Sequence, residues 1–295
     1  MNEISTFDPH DLIDSSVSDP CVLDPDFPVE QFVTHFISGG SVVHATAWIA
    51  QGQQPKGTVI LSPQWYGGDR LESVIIPLMN AGINVMTFHP RGMWDNQHRY
   101  TLTGAVDDLL AAAEYVRSAA AGEILTMQGR PWRTDPSRIA VMGLSGGGGN
   151  VSLTACAEDP QIQSVIAVAP NSMIPTASPE AVELARQREE RVIRMSAGRI
   201  QVESVLKDMT PADFDRMRPT VQAARLVDSN VLLVGAMRDT VAPLETSHRP
   251  IAKAMRDAGV RVFDEVILDS DHALLTKRIA LSRLTVQWLR KRCGF

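Results

Sequence analysis

From Val29 onward, short apolar runs alternate with longer stretches in which apolar residues recur every three or four positions. The first pattern predicts strands and the second helices. Glu30 to Ile37 and Val42 to Ala50 read as two strands turning at Gly39-Gly40, a hairpin. Thr58 to Leu61 is an apolar run suited to a strand buried on both faces. Leu71 to Ala81 has helical spacing and stops at Gly82, and Ile83 to Phe88 is the next strand. Leu102, Val106, Leu109, Leu110, Ala113 and Val116 form one apolar helix face. A longer connection, Ser118 to Arg133, leads to Asp135-Pro136-Ser137, a turn feeding the strand Arg138 to Met142. A helix from Ser145 to about Ala157 should stop near Asp159-Pro160. Strands at Ser164–Ala169, Val231–Gly235 and Val260–Leu268 complete the series, with helices over roughly Ser247–Ala258 and Ala273–Lys291. Pro250 falls in the first turn of the former, where a missing N–H is tolerated. Strands alternating with helices predict an α/β fold, a mainly parallel sheet with helices on both faces.

Two segments break this rhythm. Residues 1–28 are rich in Asp, Ser and Pro and read as an N-terminal arm ahead of one domain spanning 29–295. Asn171 to Asp228 separates two strands that should be nearly consecutive, and it includes the charged stretch Glu180 to Met195. A connection that long needs its own structure. Its exit lies at the strand ends where α/β sheets bind ligands, so 171–228 is expected to form a helical lid. A solvated helical excursion is the plainer alternative.

Composition narrows the classes. The apolar fraction of 44% is that of a globular core. A net charge of −6 without a basic run argues against a nucleic-acid partner. No apolar stretch approaches the roughly 18 residues of a membrane span, and the acidic N-terminus lacks a signal pattern, so a cytoplasmic location is expected. The three cysteines and seven histidines show no metal-type spacing, and no metal or cofactor is expected. The oligomeric state leaves no mark in the sequence.

The strongest chemical signal is Arg138 to Asn150, RIAVMGLSGGGGN. A strand runs into Gly143-Leu144-Ser145-Gly146-Gly147, which matches G-x-S-x-G, and then into a helix. Such a turn strains the serine backbone, and neighbours without Cβ atoms relieve the crowding. No lysine follows, as a phosphate loop would need, and the spacing is not that of a dinucleotide fingerprint. A purely structural glycine turn is the remaining alternative.

With these residues the chain from Val29 on resembles the α/β-hydrolase superfamily, nearest in flavour to dienelactone hydrolases and prolyl-oligopeptidase-type catalytic domains. The resemblance implies chain order nucleophile, acid, histidine. Ser145 would be the nucleophile. Asp239, in Val231-Leu-Leu-Val-Gly-Ala-Met-Arg-Asp239, would be the acid, and His272, in Val266-Ile-Leu-Asp-Ser-Asp-His272, the base. Asp269 and Asp271 stand where the family often has Gly-x-x ahead of the histidine, and either is a rival acid. The backbone N–H of Gly146 would be one oxyanion donor. The family's His-Gly after the first parallel strand is replaced by Pro63-Gln64, which makes Trp65 the second donor, since proline has no N–H. Gln64, Tyr66, Trp94 and Met173 are candidates for the substrate pocket. His89-Pro90-Arg91-Gly92 resembles the family's Asp-x-Arg-Gly loop, with Arg91 structural and His89 a weak rival base.

The resemblance implies a serine hydrolase acting on an ester, thioester or activated amide of a small acyl substrate. Carbon–carbon bond hydrolysis of a diketone and a non-catalytic receptor on the same fold remain alternatives, because one fold hosts many functions.

Overall fold

The computed structural model describes residues 14, 18–20, 22–64, 71–94, 96, 98–173, 179–196, 200, 205–206 and 209–295. The predicted arm lies mostly outside them. Among the described residues eight strands form one sheet: β1 (Glu30–Ser38), β2 (Ser41–Ile49), β3 (Lys56–Ser62), β4 (Asn84–Phe88), β5 (Thr134–Leu144), β6 (Ser164–Val168), β7 (Asn230–Ala236) and β8 (Val262–Leu268). Their spatial order is β1-β2-β4-β3-β5-β6-β7-β8. β1 and β2 make the predicted hairpin, and Gly39 and Gly40 turn it with φ of 53° and 78°. β2 also pairs antiparallel with β4. From β4 to β8 every pairing is parallel.

β3, β4, β6, β7 and the second half of β5 are buried on both faces, as their unbroken apolar runs require, whereas β8, which carries Asp264 and Glu265, is only partly buried. Ile60, Ile139, Val141, Val231 and Leu233 point into one apolar layer. There they meet α2 (Leu102–Ala120), α3 (Val151–Glu158) and α7 (Arg249–Asp257). Val59, Leu61, Ala140, Met142, Leu232 and Val234 point the other way, against α1 (Ile75–Asn80) and α8 (Arg278–Cys293). Each large apolar side chain buried this way stabilises the fold by about 1.5–3 kcal/mol.

One expected turn is absorbed into a strand. Asp135-Pro136-Ser137 belongs to β5, which begins at Thr134. The turn chemistry is present, because the Ser137 N–H donates to Asp135 Oδ1 at 2.9 Å. It acts as a bulge: Lys56 pairs with Thr134 but Thr58 already pairs with Ile139. The described part of the excursion includes the helices α4 (Pro179–Met195), α5 (Pro211–Arg216) and α6 (Pro219–Gln222). Thr210 and Asp213 close a reciprocal capping box at the start of α5.

Candidate active site

The carboxyl ends of β5, β7 and β8 lie on one edge of the sheet, and the three singled-out side chains follow directly from them. β5 ends at Leu144, paired with Val168 of β6. Ser145 then takes φ 65° and ψ −167°, a backbone region that is close to glycine-only. The chain winds into a π-turn, Gly146–Asn150, before α3, where periodicity alone had suggested a plain helix. A Cβ on Gly143 would lie 2.2 Å from the carbonyl carbon of Gly148, and one on Gly148 would lie 2.8 Å from Ser62 O of β3. The elbow therefore depends on Gly148, beyond the pentapeptide, as much as on Gly143. A Cβ on Gly146 would meet only an ordinary contact, Asn171 Cβ at 3.7 Å. Gly146 opens the turn, where backbone N–H groups lack an acceptor within the helix.

β7 and β8 run in register to Ala236 and Leu268. Beyond them Met237 N–H donates to Leu268 O at 2.8 Å and Arg238 N–H to Ser270 O at 2.9 Å, so the two loops leave the sheet together. Asp239 and His272 stand on these loops. The Asp239 side chain is fully buried, and its Oδ2 accepts from Nδ1 of His272 at 2.8 Å. Its Oδ1 accepts the N–H groups of Val241 at 2.8 Å and Ala242 at 2.7 Å. Burial opposes ionisation of this carboxyl, but the bonds from His272 and the two backbone N–H groups outweigh it and hold its pKa below the usual 3.8. An ionised carboxylate only accepts, so Nδ1 carries a proton, and in the neutral imidazole that tautomer leaves the lone pair on Nε2. Nε2 is buried and has no hydrogen-bond partner among the described residues.

The rival acids have other partners. Asp269 makes a two-pronged pair with Arg238, both contacts at 2.7 Å and largely exposed. Asp271 Oδ1 accepts the Leu275 N–H at 3.0 Å and shapes the turn after His272. His89 stacks on Trp94 with ring centroids 5.5 Å apart. Arg91 is structural, as expected: its Nε meets Asp108 of α2 at 2.6 Å, and its guanidinium covers Gly39 of the hairpin. Trp94 is 36% exposed and carries φ 57°. Gln64 is half-buried two residues past β3. Met173 is buried in the apolar layer beside α2 and α3. Trp65 and Tyr66 lie outside the described residues.

The path of the excursion is informative. It leaves the sheet after β6, and its Ile200 forms an antiparallel bridge with Met93 in the loop after β4. In the sheet, β3 and β5 lie between β4 and β6. The segment thus passes from one side of the Ser145 strand to the other. Asn150, which pattern reading missed, ties its ends to the elbow: Nδ2 donates to Asn171 O at 2.8 Å and Met217 O at 3.0 Å.

A cavity of about 390 Å³ lies beside the Asp239 and His272 loops, lined by Arg238, Asp269, Ser270, Asp271, Thr276 and Lys277. Ser145 does not line it. Among the described residues no group of His, Cys, Asp and Glu could hold a metal ion, and no helix is long and apolar enough to cross a membrane.

A family model described as alpha/beta hydrolase fold matches residues 97–276. A search of curated proteins returns no match. Among solved structures, a hyperthermophilic esterase from Pyrobaculum calidifontis superposes with a TM-score of 0.64 at 15% identity, over 92% of this chain and 86% of that one. A thermostable carboxylesterase cloned from a metagenomic library gives 0.64 at 17% identity, over 88% and 90%. The acylaminoacyl peptidase of Pyrococcus horikoshii gives 0.62 at 13% identity, over 89% of this chain but only 41% of the peptidase. The chain thus spans well under half of that peptidase, and at these identities the likeness is one of fold.

Proposed function

The chain belongs to the α/β-hydrolase fold family, and from that premise we propose that it is a serine hydrolase cleaving small acyl esters, with thioesters or activated amides as related substrates. The observation that carries this reading is the Asp239–His272 hydrogen bond of 2.8 Å, which leaves a buried and unpartnered Nε2 on the sheet edge that also bears Ser145.

The mechanism follows from the chemistry of these groups. A serine hydroxyl is a poor nucleophile at neutral pH. His272 Nε2 accepts the Ser145 proton as Oγ attacks the acyl carbon. Asp239 holds the imidazole in the tautomer that presents Nε2 and stabilises the imidazolium that forms. The backbone N–H of Gly146, at the opening of the π-turn, donates to the developing oxyanion. Trp65 N–H is proposed as the second donor, on sequence register alone. The leaving group departs with the proton from His272, and water activated by the same nitrogen releases the acid. The excursion is proposed as a lid, supported by its passage from β6 to the loop after β4.

The test is mass spectrometry after fluorophosphonate treatment, paired with turnover of a short p-nitrophenyl ester. Labelling at Ser145, and loss of turnover in Ser145→Ala, are expected. A label on another serine, or a Ser145→Ala variant that still hydrolyses, overturns the assignment. A labelled serine without turnover of any acyl ester would favour a receptor built on the fold.

A further inference from the structure

Asn150 sits at the end of the π-turn that Ser145 begins, and it is completely buried. Both polar atoms of its amide group, the oxygen and the nitrogen, bond backbone groups. Oδ1 accepts the Asn171 N–H at 2.9 Å. Nδ2 donates to Asn171 O at 2.8 Å and to Met217 O at 3.0 Å. One amide thus grips Asn171 through both of its backbone groups and reaches Met217, between α5 and α6 of the excursion. Asn171 in turn holds the next turn, its Oδ1 accepting the Met173 N–H at 2.9 Å.

The two bases of the excursion are not held equally. The Met217 base has other anchors on α3: Thr154 Oγ1 donates to Arg216 O at 3.3 Å, and the Arg216 guanidinium pairs with Glu158 at 2.8 and 2.9 Å. Among the described residues, the hydrogen bonds that tie the Asn171 base to the nucleophile helix come from Asn150. That base also lies against the serine turn, with Asn171 Cβ 3.7 Å from where a Cβ on Gly146 would stand.

We infer that Asn150 is a positioning residue that sets acyl-group preference: it holds the Asn171 segment as a wall over Gly146 and so limits the space for the acyl chain. The inference rests on Ser145 being the nucleophile. It separates two properties of the elbow. Gly143, Gly148 and the strained Ser145 backbone shape the nucleophile, whereas Asn150 places the wall beside it. Loss of the amide frees the wall without touching the Asp239–His272 pair.

The experiment compares p-nitrophenyl acetate with p-nitrophenyl octanoate in the intact chain. Wild type is first labelled with a fluorophosphonate. In Asn150→Ala the ratio of kcat/KM for octanoate over acetate should rise about tenfold, the scale of losing one or two hydrogen bonds in a pocket wall. The change should appear in KM, with kcat on acetate within about threefold of wild type. Thr154→Val removes a hydrogen bond at the Met217 base, and it should lower thermal stability while leaving the ratio unchanged. If Asn150→Ala does not fold, the isosteric Asn150→Asp keeps the acceptor for the Asn171 N–H, loses both donors, and should shift the ratio the same way. An unchanged or lowered ratio in a folded Asn150 variant, with Ser145 still labelling, overturns the inference alone. An equal shift in Thr154→Val also overturns it, because general loosening would then suffice. Failure of wild type to label at Ser145 overturns the serine reading and this inference with it.

Discussion

Gly143 and Gly148 touch so closely that a Cβ on the first would lie 2.2 Å from the carbonyl carbon of the second. The contact closes the turn on which Ser145 stands. Backbone on both sides leaves no flexible side chain to give way, so Gly143→Ala should destabilise the fold by about 1–3 kcal/mol or more. Urea titration of the purified variant measures this. A stability equal to that of wild type would mean that the turn opens at little cost.

Ser145 itself should oppose stability. Its φ of 65° with ψ of −167° costs a residue with a Cβ on the order of 1–3 kcal/mol. Ser145→Gly should therefore melt above Ser145→Ala by an amount of that size, while both lose fluorophosphonate labelling. Matching melting temperatures in the two variants would show the turn to be unstrained.

Three aspartates compete for the acid role, and they have different partners. Asp239→Asn should lower turnover by about 10⁴-fold, because the imidazole would then favour the wrong tautomer. Asp271→Asn weakens an acceptor shared by the Leu275 N–H and the Ser270 hydroxyl and should cost less than about tenfold. Asp269→Asn breaks an exposed pair with Arg238 and should do less still. Steady-state kinetics on one ester ranks the three, and a larger loss in Asp271→Asn would transfer the role.

A buried histidine outside the site should govern stability in mild acid. His248 is 2% exposed, with Nε2 2.8 Å from Glu265 Oε1 and Nδ1 unpaired. Burial pushes its pKa below the usual 6.5; Glu265 opposes this, but that carboxylate is shared with Arg256, and Arg256 and Arg249 add positive charge. The unfolded chain therefore binds the proton more readily than the native one. Stability should fall as pH drops below about 6.5, until the native histidine is itself protonated. His248→Gln should flatten that slope in urea titrations between pH 7 and about pH 5. An unchanged slope would assign the acid sensitivity to other groups.

Most of the strands were legible in the sequence, because each is forced by a local requirement, and the Ser145 turn carries a local signature of its own, whereas Asp239 and His272 were proposed from the chain order that the family resemblance implies. The serine turn needs residues without Cβ atoms, and buried parallel strands need unbroken apolar runs such as Thr58–Leu61. What escaped depends on the fold. Gly148 matters through Gly143 and the Ser62 carbonyl of β3, a contact made only when the strands assemble. Asn150 binds backbone groups of Asn171 and Met217, and backbone partners leave no pattern of residue types. Asp135-Pro136-Ser137 carries true turn chemistry, yet pairing on either side keeps it within β5. Helical spacing does not separate a π-turn from an α-helix over so few residues, so the winding at Gly146–Asn150 was also hidden.

The order of the strands has a consequence for the protein while it is being made. From β5 to β8 each strand is added beside its predecessor, at the growing edge of the sheet. The serine turn thus emerges from the ribosome well before Asp239, and His272 follows only after β8. A nascent chain that ends before β8 lacks His272 as well. On the proposed mechanism, hydrolysis switches on when β8 docks, so the order of translation keeps the nucleophile silent until the sheet that carries it is complete.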